Sequence, residues 1–157
     1  MSQIATATTP TATASARTNP VFVKLFSRFH VWLYRRTDGR ALGKVMGVPV
    51  LLLTTTGRKS GQPRTTPLLF LRDGSDLVVV ASNGGSDRTP AWWLNLQRRS
   101  EAQVQVGAEM HRMRAEQARP EEHARLWPLL NRIYPEYESY QQKTSRRIPV
   151  VVLKPAT

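Results

Sequence analysis

The β-structure of this chain is most evident in residues 48–82, which read VPVLLLTTTGRKSGQPRTTPLLFLRDGSDLVVVAS. A run of β-branched and apolar residues from Val50 ends at Gly57, as expected for a buried strand. Two further strands are predicted at 67–72 and 76–82. They are joined by Arg-Asp-Gly-Ser, a sequence typical of a tight hairpin turn. This stretch therefore predicts a mostly antiparallel sheet.

The flanking segments add helices and more strands. Asn19-Pro20 predicts the start of an amphipathic basic helix that ends near Arg36. Downstream, the patterns predict a short helix at 90–99, a strand pair at 103–106 and 110–116, a helix at 120–134, a tyrosine-rich turn or helix after Pro135, and a strand at 148–153. Five or six strands of hairpin spacing with two or three helices predict an α+β or small-barrel domain.

Length and composition limit the protein to one globular domain. The 157 residues are 40% hydrophobic and 22% charged, so the chain can bury a real core. Residues 1–18, rich in Thr, Ala and Ser, predict a disordered tail, which leaves 19–157 as the domain. Zero cysteines exclude thiolate metal sites and cysteine nucleophiles. No apolar run reaches the roughly 20 residues that span a bilayer.

The positive charge is concentrated in one part of the chain. The formal net charge is +12, and residues 21–64 carry nine Lys and Arg against Asp38 alone. A protein that coats nucleic acid usually spreads its basic residues over a face or a tail. We therefore expect no nucleic acid partner. A basic nucleic-acid-binding module, whose affinity would fall steeply with salt, is the alternative from another functional class.

The predicted N-terminal helix has three candidate partners. Its apolar residues fall within an arc of roughly 120° at about 100° per residue; they are Phe22, Leu25, Phe26, Phe29, Trp32 and Leu33. This face is compatible with packing on its own domain, with an anionic membrane surface, or with a second subunit.

The loop at 54–64, TTTGRKSGQPR, carries the strongest signal for a binding site. Its two glycines allow backbone amides to approach a ligand closely, and Arg58, Lys59 and Arg64 supply cationic groups. It is not a Walker A loop, because Arg58 stands where that motif has glycine. The loop predicts a phosphate or polycarboxylate site; a solvated basic turn between strands is the alternative.

A second glycine-rich segment, SNGGSDRTP at 82–90, follows a strand and opens a helix. Free amides at such a position attract anions, although an ordinary connector is equally compatible with the pattern. Behind it, Trp92 and Trp93 are core candidates, but neighbouring helix positions are not expected to point inward together.

Tyr134, Tyr137 and Tyr140 share one side of a helix or turn and carry three uncharged hydrogen-bond donors. Alternatively, the three tyrosines have only a structural role, as an aromatic stripe along one side of the helix or turn. The histidines and carboxylates form no metal-ligand, catalytic-triad or general-acid pattern. If the protein is an enzyme, a bound cofactor supplies the chemistry.

These motifs resemble those of the deazaflavin-dependent nitroreductase family, whose hydride carrier is coenzyme F420. The resemblance spans about residues 20–155 and rests on LLTTTGRKSGQPR at 52–64, LRDG at 71–74, the helix at 92–96, QVQV at 103–106 and YPxYxxY at 134–140. It implies a split β-barrel, related to flavin-binding barrels, with flanking helices. It also implies an enzyme that reduces quinones, nitroimidazoles or similar conjugated acceptors.

The resemblance also implies roles for individual residues. Arg58, Lys59 and Arg64 are expected to hold the phosphate and the acidic glutamate tail of the coenzyme. Those expected to hold the deazaflavin are Thr66, Pro67, Ala81, Ser82, Asn83 and Gly85. The acceptor is expected near Leu69, Trp92, Tyr134 and Tyr137, with Leu69 replacing an aromatic residue and opening the pocket. The expected catalytic hydrogen-bond donors are Ser82, Tyr134, Tyr137 and Tyr140.

Menaquinone is a candidate acceptor. We expect a cytoplasmic protein, and the basic amphipathic helix at 20–36 suggests a peripheral contact with the inner face of an anionic membrane. A flavin-mononucleotide-dependent reductase on the same barrel and a non-catalytic cofactor carrier are the alternatives; no metal is expected.

Overall fold

A computed structural model describes residues 20–157, with side chains described from Ser27 onward. Within that range there are four α-helices and eight β-strands. The helices are α1 (Pro20–Arg36), α2 (Ala91–Arg98), α3 (Pro120–Ile133) and α4 (Glu136–Gln142). The strands are β1 (Lys44–Val45), β2 (Val48–Thr56), β3 (Pro63–Leu69), β4 (Leu71–Asp73), β5 (Asp76–Val80), β6 (Glu101–Val106), β7 (Glu109–Gln117) and β8 (Val150–Pro155). The predicted tail at 1–18 and Asn19 lie outside the described residues.

Strand pairing in the described chain is antiparallel throughout, as the hairpin spacing predicts. The strand order is β1-β2-β6-β7-β8-β5-β4, and β3 pairs with β2. Leu53 in β2 faces Thr66 of β3 on one edge and Val104 of β6 on the other. The two-sided pairing places β2 inside the sheet, where Leu51 to Leu53 are buried.

The prediction of one strand at 67–72 is wrong. Strand β3 starts earlier, at Pro63 opposite Thr56, and ends at Leu69 opposite Val50. At Phe70, which is buried, the backbone N–H donates to the Pro49 carbonyl at 3.1 Å, and the chain then pairs with β5 as β4. Because the chain changes partner strand at one residue, the structure has more strands than the predicted five or six.

Helix α2 buries both tryptophans, which the sequence analysis did not expect. Trp92 and Trp93 are 6% and 5% exposed, and their ring centroids lie 6.3 Å apart. The buried positions of α2 are Trp92, Trp93, Asn95 and Leu96, which span an arc of roughly 160° at about 100° per residue. An arc that wide covers adjacent positions, so both indoles enter the core.

Helix α1 is rotated relative to the predicted apolar face. Phe29 and Trp32, expected to pack inward, are 54% and 57% exposed and stack on each other. Among the side chains of α1 described from Ser27 onward, the buried ones are His30 and Tyr34. The Tyr34 hydroxyl donates to the Val50 carbonyl at 3.0 Å and accepts from the Gly107 N–H at 2.8 Å.

These two hydrogen bonds orient α1, because a buried hydroxyl without partners costs about 1–3 kcal/mol. The side chains of Phe22, Leu25 and Phe26 lie outside the described part of the helix. Within residues 20–157, no helix is both long enough and apolar enough to cross a bilayer.

Candidate functional site

A cavity of about 1340 Å³ opens between α1, the loop at 57–62, the start of β3 and α2. It exceeds the roughly 300–1,000 Å³ of a typical small-ligand pocket. Its cationic lining side chains are Arg28, Arg35, Arg36, Arg58, Lys59 and Arg64, and none of the carboxylates in the described part of the chain lines it. Such a cavity suits an extended ligand with several negative charges.

The loop at 57–62 is a compact turn. The Gly57 N–H donates to the Gln62 carbonyl and the Gly61 N–H to the Gly57 carbonyl, both at 2.8 Å. A Cβ at Gly57 would lie 2.6 Å from the Ser60 Oγ and 3.1 Å from the Gln62 carbonyl oxygen, so a side chain there would require the Ser60 side chain to move and the turn to adjust. Among the described residues, the backbone N–H groups of Lys59 and Ser60 donate to no protein atom. The turn therefore offers two amides and two cationic side chains to an anion, and Arg64 on β3 adds a third cation.

Asn95 holds the loop in place, a role that the sequence analysis missed. This residue is 4% exposed; its Oδ1 accepts from the Arg58 N–H at 3.1 Å and its Nδ2 donates to the Thr55 Oγ1 at 3.0 Å. One amide thus ties α2 to the end of β2 and to the loop. The sequence signal for this role of Asn95 is its position, because it is a polar residue between Trp92 and Leu96 on an apolar helix face.

The segment after β5 forms a second group. Its 3-10 turn at Asn83–Gly85 has positive φ at all three residues. A Cβ at Gly85 would lie 2.9 Å from the Cα of Tyr140, so glycine allows this turn to pack directly on α4. Ala81 and Ser82, at the end of β5, are buried.

Arg146 fastens this turn to the rest of the molecule. Its guanidinium donates to the carbonyls of Ala81 at 3.1 Å, Ser82 at 2.8 Å and Ser86 at 2.9 Å. Thr144 adds a 2.6 Å hydrogen bond to Asp87. No motif in the sequence signals Arg146, because all three acceptors are backbone atoms about sixty residues away in the chain.

Tyr134, Tyr137 and Tyr140 form one aromatic cluster against this turn. Their ring centroids lie 5.0 to 6.4 Å apart, and the hydroxyls of Tyr134 and Tyr140 are 3.1 Å from each other. Burial raises the pKa of Tyr137 above its usual range, and the hydrogen bond with Tyr134 raises the pKa of Tyr140 to about 12. Both phenols keep their protons at neutral pH and remain hydrogen-bond donors.

The predicted site residues therefore fall into two groups. Those lining the cavity are Arg58, Lys59, Arg64, Thr66 and Trp92. Those at or against the 3-10 turn are Ala81, Ser82, Asn83, Gly85, Tyr134, Tyr137 and Tyr140. Residues 86–90 and α2 connect the two groups.

The last two predicted site residues lie in β3, after Thr66. Pro67 pairs with Leu52, and Leu69 packs against the core formed by Tyr34, Val50 and Leu52 beneath α1. Within residues 20–157, no group of three or more His, Asp or Glu is arranged to hold a metal ion.

Comparison with known proteins identifies close relatives. The family model described as F420H(2)-dependent quinone reductase matches residues 26–155. An F420H(2)-dependent quinone reductase of Mycobacterium tuberculosis (strain H37Rv) is 43% identical over 130 residues, which cover 80% of this chain and 87% of that protein. The family-model match extends over both groups of site residues.

Solved structures support the fold. The structure of an F420-H2 dependent reductase is 36% identical, with a TM-score of 0.63, and the match covers 68% of this chain and 94% of that one. A heme storage protein from Vibrio cholerae has a TM-score of 0.53 at 11% identity, covering 81% and 88% of the two chains. The latter shows likeness of fold alone. The predicted split β-barrel is confirmed.

Replacing Asn95 tests whether its amide stabilises the loop. We expect Asn95→Ala to lower the free energy of unfolding by about 1–3 kcal/mol in urea titrations, because Thr55 loses its partner while buried. Gln97→Ala, at an exposed position on the same helix, should change it by less than about 0.5 kcal/mol. Equal effects of the two substitutions would contradict this role.

Proposed function

The chain belongs to the F420H(2)-dependent quinone reductase family, and we propose that it transfers a hydride from reduced coenzyme F420 to a quinone. The observation that carries the proposal is the large cavity lined by six cations and, among the residues that the structure describes, by no carboxylate. Coenzyme F420 joins a deazaflavin ring to a phosphate and an acidic glutamate tail, so it presents several negative charges at one end.

The residues present fit this coenzyme. The loop at 57–62 provides Arg58, Lys59 and two backbone N–H groups without protein partners among the described residues, and Arg64 follows on β3. Charged side chains and aligned amides together bind phosphate oxygens through charge-assisted hydrogen bonds. These residues would hold the phosphate and the first part of the tail.

The ring-binding role falls to Thr66 and Pro67 on β3 and to the segment Ala81–Gly85. Arg146 supports the second of these, since its rigid guanidinium holds two carbonyls of the segment and the carbonyl of Ser86 just after it. A backbone fixed in this way can keep a reacting centre and its acceptor at near-attack distance, about 3–3.5 Å.

When bound in its reduced form, the coenzyme supplies a hydride. The chain's own contribution is to align the acceptor and to donate hydrogen bonds where negative charge develops on its oxygens. Ser82, Tyr134, Tyr137 and Tyr140 are the proposed donors. Tyr137 and Tyr140, whose pKa values are raised by burial and by the hydrogen bond with Tyr134, are protonated at neutral pH, as a hydrogen-bond donor must be.

We propose that the physiological acceptor is a membrane quinone, specifically menaquinone. We also propose that the protein reduces nitroimidazoles. A quinone held in a lipid bilayer must be collected at the membrane surface. Phe29 and Trp32 support a peripheral contact through α1, because two stacked aromatic side chains are more than half exposed beside several arginines.

Parallel fluorescence titrations with coenzyme F420 and flavin mononucleotide test the cofactor. We expect F420 to bind at least about tenfold more tightly, a difference of about 1.4 kcal/mol. The reason is that flavin mononucleotide has the phosphate without the acidic tail. Lys59→Gln and Arg64→Gln should each weaken F420 binding about two- to fivefold. Arg132→Gln, an exposed position outside the cavity, is the control. A preference for flavin mononucleotide would contradict the proposal.

Tyrosine substitutions test the proposed donors. We expect Tyr137→Phe to lower the rate of menadione reduction by about 10²-fold, while F420 affinity stays unchanged. A factor of about 10² is the lower end of the rate contribution expected from a positioned proton donor. Ser139→Ala removes a hydroxyl from the same helix and should leave the rate unchanged. The donor role is wrong if all three Tyr→Phe variants reduce menadione at the wild-type rate.

Sedimentation with anionic lipid vesicles tests the membrane contact. Phe29→Gln and Trp32→Gln together should weaken binding about tenfold or more, since burying one aromatic side chain is worth about 1.5–3 kcal/mol. Met110→Gln, whose side chain is also 57% exposed, is the control. Substitution is preferable to deleting residues 1–36, because that deletion also removes Tyr34. Equal vesicle binding by all variants would contradict the contact.

A further inference from the structure

Arg146 is partly buried, yet it forms no ion pair with a carboxylate in the part of the chain that the structure describes. Its guanidinium donates to three backbone carbonyls instead: Nη2 contacts those of Ala81 and Ser82, and Nε contacts that of Ser86. A guanidinium is planar and presents its N–H groups in a fixed fork. The three hydrogen bonds therefore fix the direction of the carbonyls as well as their position.

The direction of these carbonyls also sets the direction of two N–H groups. In a trans peptide the C=O and the N–H of the next residue point in opposite directions, and no peptide bond in the described chain is cis. The N–H groups of Ser82 and Asn83 therefore point away from the guanidinium. Among the described residues, neither of them donates to a protein atom. Both are available to a ligand.

The charge of Arg146 strengthens these two donors. A cation bound to a carbonyl oxygen polarises the peptide, because neighbouring hydrogen bonds in a chain reinforce one another. Ser82 and Asn83 thus present two oriented and polarised N–H groups in the segment to which the ring of the coenzyme is assigned. The pyrimidine part of a deazaflavin carries two carbonyl oxygens, which are suitable acceptors for such donors.

The backbone of Arg146 is fixed to helix α4. The side chain of Gln141, in that helix, donates to the Arg146 carbonyl at 2.8 Å and accepts from the Ile148 N–H at 2.9 Å. The same helix carries Tyr137 and Tyr140, two of the proposed donors to the acceptor. Arg146 is therefore attached at one end to the ring-binding segment and at the other to the helix that faces it.

We propose that Arg146 is a positioning residue of the hydride transfer. Through the carbonyls of Ala81 and Ser82 it orients and polarises the N–H groups that receive the ring, and through Gln141 it keeps them in register with the tyrosines of α4. Arg146 acts through the backbone, and not by contact with the coenzyme or the acceptor. This inference rests on the proposed function, which assigns the segment Ala81–Gly85 to the ring.

An NMR titration of the wild-type protein tests the two N–H groups without any substitution. The probe is the deazaflavin riboside, which has the ring but neither the phosphate nor the glutamate tail. We expect the backbone amide signals of Ser82 and Asn83 to move downfield, as amide protons do when they donate a hydrogen bond. The amides of Lys59 and Ser60, which are assigned to the phosphate, should keep their positions.

Replacing Arg146 by lysine keeps the charge and removes the fork. An ammonium donates from a single nitrogen in no fixed plane, so it cannot reproduce bonds made by two nitrogens of one plane. We expect Arg146→Lys to weaken riboside binding about tenfold, since two hydrogen bonds lose their alignment. The kcat for menadione should fall about tenfold or more while its KM changes less than about twofold, because misplaced reacting centres lower the rate steeply. Arg147→Lys, the same change at the exposed neighbouring position, is the control.

A second variant leaves the guanidinium intact. In Gln141→Leu the fork keeps its three carbonyls, but the attachment of Arg146 to α4 is lost. We expect the kcat for menadione to fall about threefold or more while riboside affinity stays at the wild-type value. Gln142→Leu, at the exposed end of the same helix, is the control and should leave both unchanged.

Three results would overturn this role of Arg146. The first is an unchanged position of the Ser82 and Asn83 amide signals in wild-type protein saturated with riboside. The second is wild-type riboside binding and kcat in Arg146→Lys, and the third is a wild-type kcat in Gln141→Leu. A failure of the proposed function looks different, because the wild type would then bind neither the riboside nor the coenzyme.

Discussion

Strand β2 is hydrogen-bonded along both edges, and the position of the cavity follows from this constraint. Leu53 pairs with Thr66 on one side and with Val104 on the other. Burial of Leu51 to Leu53 stabilises this arrangement by about 1.5–3 kcal/mol for each side chain. A strand held on both edges cannot shift its register without exposing that core. The loop that follows Thr56 therefore leaves the sheet at one defined point, beside α2 and α1.

The cavity concentrates like charges at some cost to stability. Six cationic side chains surround one space, and the described residues contain no carboxylate lining it. Solvent and salt reduce the repulsion between these cations. At 0.1 M salt, repulsion remains between charges that are less than about 10 Å apart. A binding site for a polyanion requires this arrangement, because the ligand supplies the missing negative charge. Function and stability thus make opposite demands on the same residues.

Polar groups that are buried or partly buried decide the details of this structure. Tyr34 sets the rotation of α1, Asn95 joins α2 to the loop, and Arg146 holds the segment after β5. Each group enters the interior only because its hydrogen bonds are satisfied there. Hydrophobic periodicity places the apolar residues of a helix but contains no information about such distant partners. This explains why Phe29 and Trp32, on the predicted inner face of α1, are exposed.

The sequence by itself determined the local elements and the kind of chemistry. The β-branched runs, the hairpin turn at 72–75 and the basic glycine-bracketed loop depend on neighbouring residues, so spacing and residue type predict them. The motifs of the loop and of the tyrosine segment also identified the family and its cofactor. The tertiary structure alone decided that Arg28, Arg35 and Arg36 face the same cavity as the loop, and that the tyrosines pack against Gly85. Those arrangements join residues distant in the chain through hydrogen bonds and packing that no local pattern encodes.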